Sequence, residues 1–98
     1  MHASIWKFTG DPDDLTRRYD ALVAEMPSEQ FIVNLCLRAD DGISVVDICP
    51  DQASFEAFST GPEFRAALAR HGLPAPEILD YPVHAAIARG AVLAPVAG

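Results

Sequence analysis

Apolar residues recur along this chain with two different periods, and the switches between them outline its elements. Residues 2–8 form a short apolar and aromatic run, which predicts a strand. Leu15, Tyr19, Leu22, Val23 and Met26 then fall at offsets 0, 4, 7, 8 and 11, one face of a helix. Asp11 can cap that helix, Pro12 suits its first position, Asp13 and Asp14 complement its dipole, and Pro27 marks its end. From Phe31 to Arg38 and again from Ile43 to Cys49 the period drops to two, as in strands. Asp40-Asp41-Gly42 between them signals a hairpin, with Asp41-Gly42 fitting a two-residue turn. That turn sets Leu35 against Ile48 and Leu37 against Val46, an apolar face. On the other face it sets Asn34 against Cys49, Cys36 against Asp47 and Arg38 against Val45.

Cys49-Pro50-Asp51 leads into a second helix, with Asp51 as its cap and Phe55 and Phe58 on its inner face. Gly61-Pro62 interrupts this helix, and Phe64 and Leu68 continue its apolar stripe until Gly72 stops it. Pro74 and Pro76 make an extended linker, and a last strand is expected over Ile78 to Ala88. One domain over residues 1–89 with an apolar tail at 90–98 follows from this pattern. The order is β-α-β-β-α-β, an α+β fold of ferredoxin-like type with an antiparallel four-stranded sheet. Right-handed crossovers put both helices on one sheet face. The apolar face of Val33, Leu35, Leu37, Val46 and Ile48 is the expected one. The mixed face then needs a second sheet over it, which predicts a homodimer through sheet faces.

A chain of 98 residues makes one domain, and 50% hydrophobic residues can fill its core. The formal net charge of −7 repels phosphate backbones and anionic bilayers, so neither nucleic acid nor a membrane is expected as a partner. No run approaches a membrane span, and the first residues lack a signal-peptide pattern, so the expected location is cytoplasmic. Cys36 and Cys49 are too few and too far apart for a zinc or thioredoxin motif, and diagonal neighbours on a sheet are a poor fit to a disulfide. His2, His71 and His84 have no spacing that suggests a metal site. Glycine-rich phosphate loops and nucleophile elbows are missing from the sequence.

Ser4-Ile5-Trp6-Lys7-Phe8, the Asp41-Gly42 hairpin and Phe55-Glu56-Ala57-Phe58 before the broken helix give a pattern that resembles the dimeric α/β-barrel superfamily, over about residues 2–88. That superfamily includes antibiotic-biosynthesis monooxygenases and stress-responsive barrel proteins. The resemblance implies two four-stranded sheets packed between subunits, and a pocket in each subunit between sheet and helices. It also implies a small-molecule ligand, and in the enzymatic form a monooxygenase that needs no bound cofactor and acts on an aromatic or quinone-like compound. The haem-degrading members use an Asn, Trp and His set, but there the asparagine is on the first strand and the histidine on the second helix. Here the first strand carries Trp6, and His71 stands only at the very end of the second helix, so haem is not expected.

Several residues are candidates for the chemistry. Asn34 and Asp47 share the mixed face, Trp6 joins it if the first strand has even parity, and His84 is polar within an apolar run. These four are the candidate catalytic set, with an Asp47–His84 pair as a general base and its orienting partner in an isomerase or cyclase alternative. Phe55, Phe58 and Tyr81, with Tyr19 and Phe64, can line an aromatic pocket, and Arg38 can bind an anion or pair with Asp40. The Ser59-Thr60-Gly61-Pro62 break leaves space above the sheet. A further alternative is a non-enzymatic dimerisation or partner-binding module.

Overall fold

The register of the sheet is set by the turn at Asp40 and Asp41, as seen in a computed structural model that describes residues 1–26, 32–89 and 91–94. Strand β2 (Val33–Ala39) runs into β3 (Gly42–Cys49) with Ala39 opposite Gly42, Leu37 opposite Ser44 and Leu35 opposite Val46. The turn therefore lies one residue earlier than Asp41-Gly42, and every cross-strand pair is displaced by two from the expected one. Gly42 explains the shift. Its φ of +154° belongs to strand β3, and a Cβ there would run into the Phe8 carbonyl oxygen. Because the displacement is even, each side chain keeps its expected face. Asn34 now stands directly opposite Asp47.

Strand β1 (His2–Thr9) pairs antiparallel with β3 on one side and with β4 (Glu77–Pro82) on the other, giving the sheet order β2-β3-β1-β4. Helix α1 (Pro12–Ala24) starts as its sequence requires, with the Asp14 backbone N–H donating to Asp11 Oδ2 at 3.1 Å and Pro12 in the first turn. Helix α2 (Gln52–Thr60) is capped by Asp51, whose Oδ1 accepts from the Ser54 N–H at 2.7 Å. Gly61 ends α2 and opens α3 (Pro62–Arg70), the break expected from Gly61-Pro62. Pro27 and Phe31, expected to end α1 and to begin β2, lie outside the described residues.

The helices cover the mixed face of the sheet, which corrects the expectation. His2, Ser4, Trp6 and Phe8 of β1 and Ile43, Val45 and Asp47 of β3 are buried beneath them. With Leu15 and Leu22 of α1, Phe55 of α2, Leu68 of α3 and Leu73, their apolar members form the core. The first strand decides the matter. It carries its two large aromatics, Trp6 and Phe8, on the even face, and burying rings of that size outweighs the polarity of Asn34 and Asp47. The other, mainly apolar face stays open, with Leu35 49% exposed, Leu37 50% and Tyr81 56%, and it also carries Lys7, Ser44 and Glu77.

The expected last strand also divides. β4 stops at Pro82, and Ala86–Ala88 (β5) pairs instead with Ala91–Ala94 (β6) in a separate two-stranded sheet. Arg89, with φ of 52°, turns the chain between them.

Candidate functional site

Trp6, Asn34 and Asp47 come together on the covered face because β1, β3 and β2 are adjacent and share parity there. They line a cavity of about 40 Å³ together with Tyr19 and Met26 and with Phe58 of α2 and Phe64 of α3. That volume has room for roughly three water molecules. The Trp6 indole is held from two sides. Its Nε1–H donates to Ser4 Oγ at 2.9 Å, and its ring meets Phe64 edge-on at 5.1 Å and Phe58 at 6.2 Å.

Asp47 is the unusual member. It is only 7% exposed, and its Oδ1 has no hydrogen-bond partner among the described residues. Burial pushes its carboxyl up to about 6, against smaller lowering by the Asn34 amide and the Ile48 backbone. The Asn34 Oδ1 in turn accepts from the Tyr19 hydroxyl, so a chain of polar groups runs Tyr19–Asn34–Asp47 through an otherwise apolar chamber. Burial raises the Tyr19 hydroxyl as well, with Cys36, Asp20 and Asp47 adding to it. Chemically, the arrangement can accept a hydrogen bond or a proton at Asp47 and present an aromatic wall at Trp6.

A groove of about 510 Å³ lies on the outer side of the cavity, between the end of α1 and the α2–α3 break. Leu22, Met26, Phe58 and Phe64 line both spaces. Glu25 and Arg70 close the groove at its mouth, with Arg70 Nη2 donating to Glu25 Oε2 at 2.7 Å and His71 Nε2 at 3.1 Å from the same oxygen. These two partners hold the Glu25 carboxyl below its usual range, the Arg70 hydrogen bond most of all.

The other candidate residues stand elsewhere. His84 is exposed in the segment after β4 and is not part of the cavity wall, so Asp47 and His84 do not pair within the chain. Tyr81 lies on the open sheet face. Phe55 is buried but packs on the His2 ring at 5.3 Å rather than on the cavity. Arg38 is solvent-facing, and its Nη2 donates to Asp13 Oδ1 at 2.6 Å instead of meeting Asp40.

Two features escaped the sequence reading. His2 is buried, with its Nε2 2.7 Å from Asp80 Oδ1, a pair that ties the start of β1 to β4. The Tyr19–Asn34 contact is the other. Its signal was present: Tyr19 sits on the same helical stripe as Leu15 and Leu22, which any covered face must receive. Both cysteines are free, and burial raises both thiols, so they remain protonated. Among the described residues no cluster of His, Cys, Asp and Glu could hold a metal ion, and no helix is long and apolar enough to cross a membrane.

No protein-family model matches the chain, and neither does the sequence of any curated protein. Solved structures do match. One, named provisionally as an antibiotic biosynthesis monooxygenase from Chloroflexus aurantiacus J-10-fl, is 20% identical, with 84% of this chain and 92% of that one covered and a TM-score of 0.57. Another, provisionally of the same name and from Deinococcus radiodurans, is 14% identical over 90% of this chain and 97% of that one, with a TM-score of 0.63. At these identities the likeness is one of architecture, and it extends over nearly the whole of each chain. The four-stranded antiparallel sheet with its helices on one face is therefore a ferredoxin-like fold, shared with these antibiotic biosynthesis monooxygenase-like structures.

Proposed function

We propose that this chain is a small-molecule-binding protein of dimeric α/β-barrel type, whose ligand is an aromatic or quinone-like compound held against Trp6, Asn34 and Asp47. The observation that carries the reading is the buried Asp47 with an unpartnered Oδ1 in an apolar, aromatic-walled chamber. A fold that needed only a stable core would gain by replacing such a group, because an unsatisfied buried polar atom costs about 1–3 kcal/mol. Sites that bind ligands keep a few polar groups of this kind in apolar surroundings.

In its enzymatic form the protein is a monooxygenase, the activity provisionally named for its structural neighbours, and on our reading it works without a bound cofactor. Dioxygen is then the oxidant and the substrate the source of electrons. Asp47 takes a proton from the substrate, and Trp6 with Phe58 and Phe64 orients the ring. The homodimer forms across the open face, where Leu35, Leu37, Leu79 and Tyr81 make an apolar surface suited to a second copy of the same sheet. Two free thiols fit a reducing, cytoplasmic setting.

Trp6 is the chain's sole tryptophan, so its fluorescence reports on the cavity alone. Titration with hydroxylated aromatics and quinones is expected to quench it saturably, and oxygen uptake with the bound compounds measures turnover. Asp47→Asn is expected to slow that turnover by about 10²–10⁴-fold. If no aromatic compound perturbs Trp6, the binding reading fails. Binding without oxygen uptake leaves a binding protein and removes the enzyme.

A further inference from the structure

The inner cavity is too small for the ligand that the proposed function requires. At about 40 Å³ it falls well below the roughly 300 Å³ of an ordinary ligand site, whereas the outer groove at about 510 Å³ exceeds it. The two spaces share Leu22, Met26, Phe58 and Phe64 in their walls. Met26 is the yielding part of these shared walls, an unbranched side chain with three rotatable bonds at the free end of α1. The groove's polar groups, Glu25 and Arg70, are already engaged with each other at its mouth. At the inner end, among the described residues, Asp47 Oδ1 is a buried polar atom without a hydrogen-bond partner, in a residue only 7% exposed.

We propose that cavity and groove are one ligand site with Asp47 at its closed end, and that it selects an elongated apolar compound whose inner end carries an O–H or N–H donor. The inference rests on the aromatic-binding reading above and adds to it a direction and a chemical preference. An ionised carboxylate only accepts hydrogen bonds, so it rewards a hydroxyl and penalises a carbonyl or ether in the same place. Charged acceptors also make the stronger bond. The reduced, hydroxylated form of an aromatic compound is therefore taken in preference to its carbonyl form. Below the range where Asp47 ionises, the acid becomes a donor and the preference is lost. The other ionisable groups facing this carboxyl among the described residues include Tyr19 of α1, already bonded to Asn34, and Cys49 of β3, whose thiol is pushed up by burial and by the Asp47 charge.

The test uses two matched, unreactive probes, 2-naphthol and 2-methoxynaphthalene, followed through the indole Nε1–H resonance of Trp6 in ¹⁵N-labelled protein. At pH 8 the naphthol is expected to bind about tenfold more tightly or better. At pH 4.5, and in Asp47→Asn at either pH, the ratio is expected to fall to about threefold or less. Ala57→Trp, which fills the groove from an exposed position on α2, is expected to weaken naphthol binding by about tenfold or more. Equal affinity for the two probes at pH 8, or a preference that survives in Asp47→Asn, overturns the donor selection while leaving the aromatic site standing. Unchanged affinity in Ala57→Trp separates the groove from the site. A Trp6 resonance that neither probe moves overturns this inference and the proposed function together.

Discussion

The two faces of the sheet invert what a hydrophobicity pattern leads one to expect. The face built from Leu35, Leu37, Val46, Ile5, Leu79 and Tyr81 is mainly apolar, with Lys7, Ser44 and Glu77 grouped toward one end, and lies open in the single chain. The face that carries Asn34, Asp47, His2 and Ser4 is the one the helices cover. Apolar character alone did not decide which face turns inward. What decided it was where the largest rings sit, together with the stripe of Leu15 and Leu22 on α1 that had to land on them. The mixed face also holds the Tyr19–Asn34–Asp47 polar chain, while the mainly apolar face is the one proposed to receive another sheet. The covered and the open face thus differ in the sense opposite to simple amphipathicity.

The strongest way to break this comparison is to charge the open face. Leu35→Glu with Leu37→Glu puts two carboxylates into the proposed dimer interface, where each unpaired ion costs several kcal/mol. Dimer affinity is expected to fall by more than about 1,000-fold. Light scattering would then report the single-chain mass of 10.5 kDa, and the wild type twice that. A wild type already monomeric at high concentration would remove the partner role from that face.

On the covered face the largest effect belongs to Trp6. Trp6→Ala empties the space between Phe58, Phe64 and the sheet and leaves Ser4 Oγ without its donor, so a loss of about 3–5 kcal/mol is expected. For a domain of this length that corresponds to a fall in melting temperature of roughly 12 °C or more. Urea melts of Trp6→Ala and Trp6→Phe, the latter milder, measure it. The loss falls on folding rather than on dimer affinity, which separates the two faces.

Asp47 sharpens the contrast through pH. Its folded-state pKa of about 6 lies above the ordinary 3.8, so between these values the folded chain holds a proton that the unfolded chain has released. Stability contributed by this group is therefore full below pH 3.8 and lost as pH rises through 6. Asp47→Asn is expected to gain on the order of 1–2 kcal/mol at pH 8 relative to the wild type, and nothing at pH 4. Chemical melts at the two pH values compare them. A variant that is more stable and less active identifies a group kept for function.

The smallest effect is expected at Arg38. Its 2.6 Å contact with Asp13 joins two well-exposed side chains, and such pairs contribute about 0.2–1 kcal/mol. Arg38→Ala should lower the melting temperature by no more than a few degrees and leave ligand binding unchanged.

The order of elements was legible because its signals are local. Asp11 and Asp51 act as caps where capping residues stand before apolar stripes, and Gly61-Pro62 breaks the helix as its chemistry demands. The hairpin was found but placed two residues out of register. An Asp-Gly pair and an Asp-Asp pair with glycine next are alike in sequence, and only the Phe8 carbonyl crowding Gly42 distinguishes them. The facing of the sheet needed the parity of β1, where Lys7 obscured the even-numbered aromatic run. Of the candidate site residues, Trp6, Asn34 and Asp47 meet because strand parity is readable, and Phe58 because helical spacing is. His84 stands out in sequence as a polar residue within an apolar run, but β4 ends at Pro82 and leaves it exposed.

The central claim, that the polar set of the mixed face is enclosed and the apolar face is not, is tested most directly by the titration of Asp47 itself. Carboxyl ¹³C shifts of aspartate-labelled protein, assigned with Asp47→Asn, give its pKa without reference to any ligand. A midpoint near 6 is the expected result. A midpoint at the ordinary 3.8 would mean a carboxylate in contact with water, and the covered face, with the site upon it, would have been wrongly assigned.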